Sequence, residues 1–146
     1  MDDLGQILIV DEHPLFREAL ARVLRQVFPE AVSREADTVD GAVAILQTDG
    51  LFDVVMLALN LAGIERFDGL MKLRNLFPRQ PLLLFADSDN SCVVEEAIAR
   101  GAAGILPKLL GQDALSAAIR TVVRGDIYIP EPSMSIDNDD DRLLLT

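Results

Sequence analysis

Two adjacent carboxylates, Asp11 and Glu12, stand directly after the apolar run Gln6 to Val10 (QILIV). At the end of a strand such a pair can hold a hard divalent cation such as magnesium through its oxygens. Two solvated acids ahead of a helix explain an isolated acidic dipeptide equally well. His13, which precedes Pro14, reads as a helix-entry residue held extended. Cys92 falls in a helical pattern and reads as a small packing residue, and the acidic stretch Asp137 to Asp141 reads as a solvated linker. With one histidine and one cysteine in the chain, neither a zinc cluster nor an intramolecular disulfide can be built, and a reducing cytosol fits.

The acidic pair needs elements to position it. Asp53 to Leu59 (DVVMLAL) and Pro81 to Ala86 (PLLLFA) resemble Gln6 to Val10, and apolar runs without alternation suit strands covered on both faces. Gly104 to Pro107 is a shorter fourth strand, and Ala31 to Ala36 a fifth that rests mainly on its position. Between them lie helical patterns. In Pro14 to Phe28, Phe16, Leu20, Val23, Leu24 and Val27 share one stripe, with Arg17, Glu18, Arg22 and Arg25 largely outside it, and Pro14 suits a first helical turn. Val39 to Gln47, Phe67 to Leu76, Ser91 to Arg100 and Gln112 to Arg124 repeat the theme. Five βα units in a row predict an α/β, flavodoxin-like, doubly wound parallel sheet with helices on both faces. In such sheets the site lies beyond the carboxyl ends of the strands, where strand order reverses.

The 146 residues, half of them apolar, match one domain with a single core. No apolar run reaches the roughly 18 residues that a membrane span needs, and Met1-Asp2-Asp3 lacks the basic start of a secretory signal. A net charge of −11 repels nucleic-acid phosphates, so any DNA contact is expected from a segment other than this one. The domain is expected over residues 1–130, with an acidic linker over 131–146. Leu143-Leu144-Leu145 at its end has nothing here to pack against, which predicts that the natural polypeptide continues into a further domain.

Ile7 to Leu20 (ILIVDEHPLFREAL) resembles the opening of response-regulator receiver domains of the LuxR/FixJ (NarL) class, and Gly101 to Lys108 (GAAGILPK) resembles their last strand and its lysine. The resemblance covers residues 6 to about 130 and implies the strand order 2-1-3-4-5. It also implies an aspartate ending the third strand that takes a phosphoryl group, a Ser or Thr ending the fourth that senses it, and a lysine ending the fifth that contacts it. This chain departs from that pattern. Ala58 stands at the acceptor position, Ala86 at the hydroxyl position and Ile105 at the place of the switching aromatic. An acyl phosphate needs a carboxylate nucleophile, and a methyl group supplies none.

Asp11, Glu12 and Lys108 remain as pocket residues. Lys108 is expected to neutralise the acidic pair, since opposite charges about 4 Å apart attract by roughly 4 kcal/mol at an effective dielectric near 20, before desolvation. The family's magnesium site would use Asp11, Glu12 and the backbone carbonyl of Asn60. It has lost one carboxylate here, so magnesium is expected to bind weakly at best and no other cofactor is expected. The expected function is that of a pseudo-receiver without enzymatic activity, working by phosphorylation-independent dimerisation or binding of a regulatory protein. Its surface would include Val93, Val94, Ile105, Leu109 and Leu110. DNA would be reached only through a helix-turn-helix domain beyond Thr146, in a cytoplasmic transcription regulator. Phosphorylation at another carboxylate, Asp87 first, is the competing reading. An engineered acceptor-to-alanine variant is a third, disfavoured because Ala86 has changed as well.

Overall fold

The computed structural model describes residues 5–59, 67–86, 91–108 and 111–129. The chain runs β1 (Gln6–Val10), α1 (Pro14–Val27), β2 (Val32–Ala36), α2 (Val39–Asp49), β3 (Val54–Ala58), α3 (Asp68–Leu76), β4 (Leu82–Ala86), α4 (Ser91–Ala99), β5 (Gly104–Pro107) and α5 (Gln112–Val123). The strands form one parallel sheet in the order β2-β1-β3-β4-β5. This is the doubly wound arrangement that the alternating βα pattern predicts. Residues 131–146, read from sequence as an acidic linker, lie outside the described residues.

Each central strand buries both faces, which is why its sequence is a continuous apolar run. Ile7, Ile9, Val54, Met56, Leu83, Phe85 and Leu106 form one core with α1 and α5. Leu8, Val10, Val55, Leu57, Leu82, Leu84 and Ile105 form the other with α2, α3 and α4. Strand β2 sits at the sheet edge and has only Ala36 fully buried, so its sequence is largely polar. Helix α1 begins with Pro14, whose missing N–H needs no partner there, and α2 is capped by Thr38, whose hydroxyl oxygen accepts from Gly41 N–H at 3.0 Å.

Three contacts fix the base of the sheet and its last turn. Gln80, fully buried, accepts from Phe52 N–H at 2.8 Å and donates to the carbonyls of Phe52 and Pro81 at 2.9 and 3.0 Å. Arg74, on α3, donates through Nε and Nη2 to Gly101 O at 3.1 and 2.6 Å and through Nη1 to Pro78 O at 2.8 Å, and burial draws its pKa down. Gly101 has φ +107°, and a Cβ there would lie 2.8 Å from Arg74 Nε, so both backbone and space call for glycine. After α5 the chain returns to the free edge of β5, where Tyr128 N–H donates to Ala103 O at 2.7 Å and Tyr128 bridges Gly104 in parallel.

Candidate functional site

The strand register brings the ends of β1, β3, β4 and β5 to one edge. Val10 pairs with Leu57, Ala58 with Phe85, and Ala86 with Pro107. The backbone keeps this edge in register beyond the strands: Asp11 N–H donates to Ala36 O, Leu59 N–H to Phe85 O and Lys108 N–H to Ala86 O. Asp11 therefore lies at the point between β1 and β3 where strand order reverses, the position at which doubly wound sheets place ligands.

Asp11 is 1% exposed, and both its carboxylate oxygens are engaged. Oδ1 accepts the backbone N–H of His13 at 2.7 Å and lies 2.9 Å from His13 Nδ1, while Oδ2 faces Lys108 Nζ at 2.8 Å. The ring contact is a hydrogen bond in the tautomer that carries its proton on Nδ1. Burial alone would raise the carboxyl's pKa. The bonds from Lys108 and His13, together with the lysine charge, outweigh it and hold Asp11 below the usual carboxylate range.

Lys108 is held from a second side. Its Nζ lies 4.8 Å over the ring of Phe16, and Phe16 meets Phe85 edge to face at 5.3 Å with an interplanar angle of 85°. Arg17, one residue on, donates to the backbone carbonyl of Asp11 at 2.7 Å and pairs through Nε with Glu35 at 2.9 Å. Glu12 Oε2 lies 3.7 Å from His13 Nε2. The result is a charge cluster at the end of β1, tied to β2 by Arg17 and to β5 by Lys108.

Of the residues read from sequence, the structure brings Asp11 and Lys108 into direct contact, as expected. Glu12, the neighbour of Asp11 in the chain, has Oε2 3.7 Å from His13 Nε2. Ala58 and Ala86, 3% and 2% exposed, end β3 and β4 at the same edge. Asp53 lies at the opposite edge, where Oδ2 accepts the N–H groups of Gly5 and Gln6 at 2.5 and 3.1 Å. Asn60, Asp87, Leu109 and Leu110 lie outside the described residues.

The expected surface patch needs correction. Val93, Val94 and Ile105 are buried in the core shared by β1, β3, β4 and α4, with Ile105 fully enclosed. Helix α4 turns Cys92, Glu95 and Glu96 outward instead, so these apolar residues present nothing to a partner. Sequence reasoning also missed His13, Phe16 and Arg17 as parts of the cluster. The signal for His13 was present: an aspartate two residues before a free N–H closes an Asx turn readily.

The response regulator receiver domain model matches residues 7–120. The glycerol metabolism activator of Pseudomonas putida is 34% identical over 125 residues, 86% of this chain and 57% of that protein. The nitrate/nitrite response regulator protein NarP of Escherichia coli is 36% identical over 127 residues, again 86% of this chain and 58% of its own length. The chain spans little more than half the length of the curated relatives it matches. A LuxR family DNA-binding response regulator from Silicibacter pomeroyi superposes with a TM-score of 0.76 at 28% identity, covering 89% of this chain and 99% of that one. The receiver domain of NarL from Mycobacterium tuberculosis gives 0.71 at 26% identity, covering 84% and 98%. This chain belongs to the response regulator receiver domain family.

Proposed function

We propose that this receiver works without phosphorylation, as a binding module of a transcription regulator. The observation that carries the reading is Ala58. It ends β3 beside the strand that carries Asp11, the place where the family resemblance puts the phospho-accepting aspartate, and its methyl group offers no nucleophile. Ala86, at the end of β4, likewise lacks a hydroxyl to follow a phosphoryl group.

The acidic pair fits magnesium poorly. Both Asp11 oxygens are already engaged by His13 and Lys108, and the third carboxylate of the family's site is replaced by Ala58. Magnesium demands near-octahedral oxygen coordination and gives up water reluctantly. Lys108 instead serves as a fixed counter-charge that keeps Asp11 ionised and the strand ends together.

Homodimerisation or capture of a regulatory protein would replace the phosphoryl signal. DNA would be reached through a C-terminal helix-turn-helix domain beyond Thr146, in the cytoplasm; among the described residues no helix is long and apolar enough to cross a membrane. The names of the relatives, transcriptional activators and DNA-binding response regulators among them, support this reading. The test is to incubate the protein with acetyl phosphate and magnesium and weigh it intact. No mass gain is expected. A stoichiometric phosphoryl adduct would overturn the reading, and mapping it to Asp87 would favour phosphotransfer at a substitute carboxylate. Sedimentation equilibrium without phosphodonor is expected to show self-association or, with a partner present, a complex.

A further inference from the structure

Helices α1 and α5 lie on the same face of the sheet, yet they do not close over it completely. Between them is a cavity of about 260 Å³ walled by Phe16, Leu20, Val23, Phe85, Leu115 and Lys108. It is a cleft open to solvent on one side, and an apolar space of about 150 Å³ already suffices for a benzene ring. This one has room for two fused rings. Exposed Ala19, Gln26 and Gln112 border it, and Gln112 Nε2 donates to Gln26 Oε1 at 3.3 Å, bridging the two helices.

The chemistry of the wall is specific. Among its described residues only Lys108 is charged. An ammonium has three N–H donors, and among the described residues Asp11 is the one hydrogen-bonding or ion-pairing partner that Lys108 Nζ has. The rings of Phe16 and Phe85, already edge to face, offer a third ring the same kind of contact. The rest of the molecule, at a net charge of −11, has no general attraction for anions, so an anion would be held only where a cation and apolar walls converge.

We propose that this cleft is a binding site for a small aromatic carboxylate, with its fused-ring body between α1 and α5 and its carboxylate on Lys108 Nζ. Such a ligand touches the residue that holds Asp11, so occupancy acts on the ion pair at the strand ends. The site does not depend on whether the receiver is phosphorylated, and its test is separate from the mass measurement above.

The probes are 2-naphthoate and its neutral analogue 2-naphthamide, each titrated into the 146-residue chain and followed by backbone amide NMR and calorimetry. Saturable 1:1 binding of 2-naphthoate is expected, with shifts concentrated in α1 and α5. The amide is expected to bind about tenfold more weakly, because it forfeits a charge-assisted hydrogen bond. Ala19→Trp, an exposed position that fills the cleft, should abolish binding of both probes, and Lys108→Met should make the two affinities equal. Non-saturable binding, shifts scattered over the surface, or unchanged affinity in Ala19→Trp would overturn the site. Equal affinities of the two probes for the unaltered protein would overturn the carboxylate's placement on Lys108, a comparison that stands even if Lys108→Met fails to fold.

Discussion

Lys108 Nζ lies 2.8 Å from Asp11 Oδ2, joining the end of β5 to the end of β1 across two intervening strands. The pair is unequal: Asp11 is 1% exposed and the Lys108 side chain 20%. Removing the lysine leaves a buried carboxylate with, among the described residues, only His13 to satisfy it. Lys108→Ala is therefore expected to cost about 2 kcal/mol near neutral pH, somewhat less than for a fully buried pair. The pH dependence has a definite sign. Folded Asp11 titrates below its ordinary 3.8, so the stability it contributes is present above that value and fades as pH falls through the folded one. In Lys108→Ala the burial is less opposed, Asp11 moves up, and the deficit against the unaltered protein should shrink toward acid. Melts that coincide at neutral pH would show that Lys108 does not hold this carboxylate.

Magnesium affinity is expected in the millimolar range or weaker. Ala58→Asp should tighten it by about tenfold by supplying the missing oxygen ligands. Calorimetry on the two proteins decides the matter, and a micromolar constant for the unaltered chain would reveal a ligand set other than Asp11 and Glu12. A phosphoryl group accepted by Ala58→Asp should still fail to switch the domain fully, since Ala86 has no hydroxyl to follow it.

Gln80 replaces two strand-like hydrogen bonds with its own amide. Gln80→Leu keeps the volume but strands the buried N–H and C=O of Phe52, and a loss of about 2–3 kcal/mol is expected from chemical denaturation. Loss of under half a kcal/mol would mean that water takes over both groups.

Gly104 admits Tyr128 against β5. A Cβ at residue 104 would lie 2.8 Å from Tyr128 O, a backbone atom that cannot swing aside. Gly104→Ala should release the segment 126–129, read as faster hydrogen exchange at the Tyr128 amide, while amides of β1 and β3 keep their protection.

The sheet was legible because β1, β3 and β4 are buried on both faces and so carry unbroken apolar runs. Strand β2 was nearly illegible for the opposite reason: at the edge, Val32 is exposed and Ser33, Arg34 and Glu35 face water or ion partners. Asp11 and Lys108 could be paired because both follow strands and parallel strands end together. Phe16 could not be placed beside Lys108, since a helical stripe says which residues face inward and not which ring meets which cation. The reading of α4 failed on the same limit. Val93 and Val94 are apolar neighbours of outward-facing Cys92 and Glu95, and only the packing of the helix on β4 and β5 decides that they are core.

Cys92, the chain's single cysteine, is exposed on α4. It makes the molecule its own spectroscopic ruler. A nitroxide attached there marks each copy once, without engineered thiols and without disturbing the sheet. A closed twofold dimer would yield a single inter-label distance, whereas head-to-tail assembly of three or more copies into an open chain would yield a series. Whether self-association closes at two copies or runs on as an open chain can thus be read from the unaltered sequence.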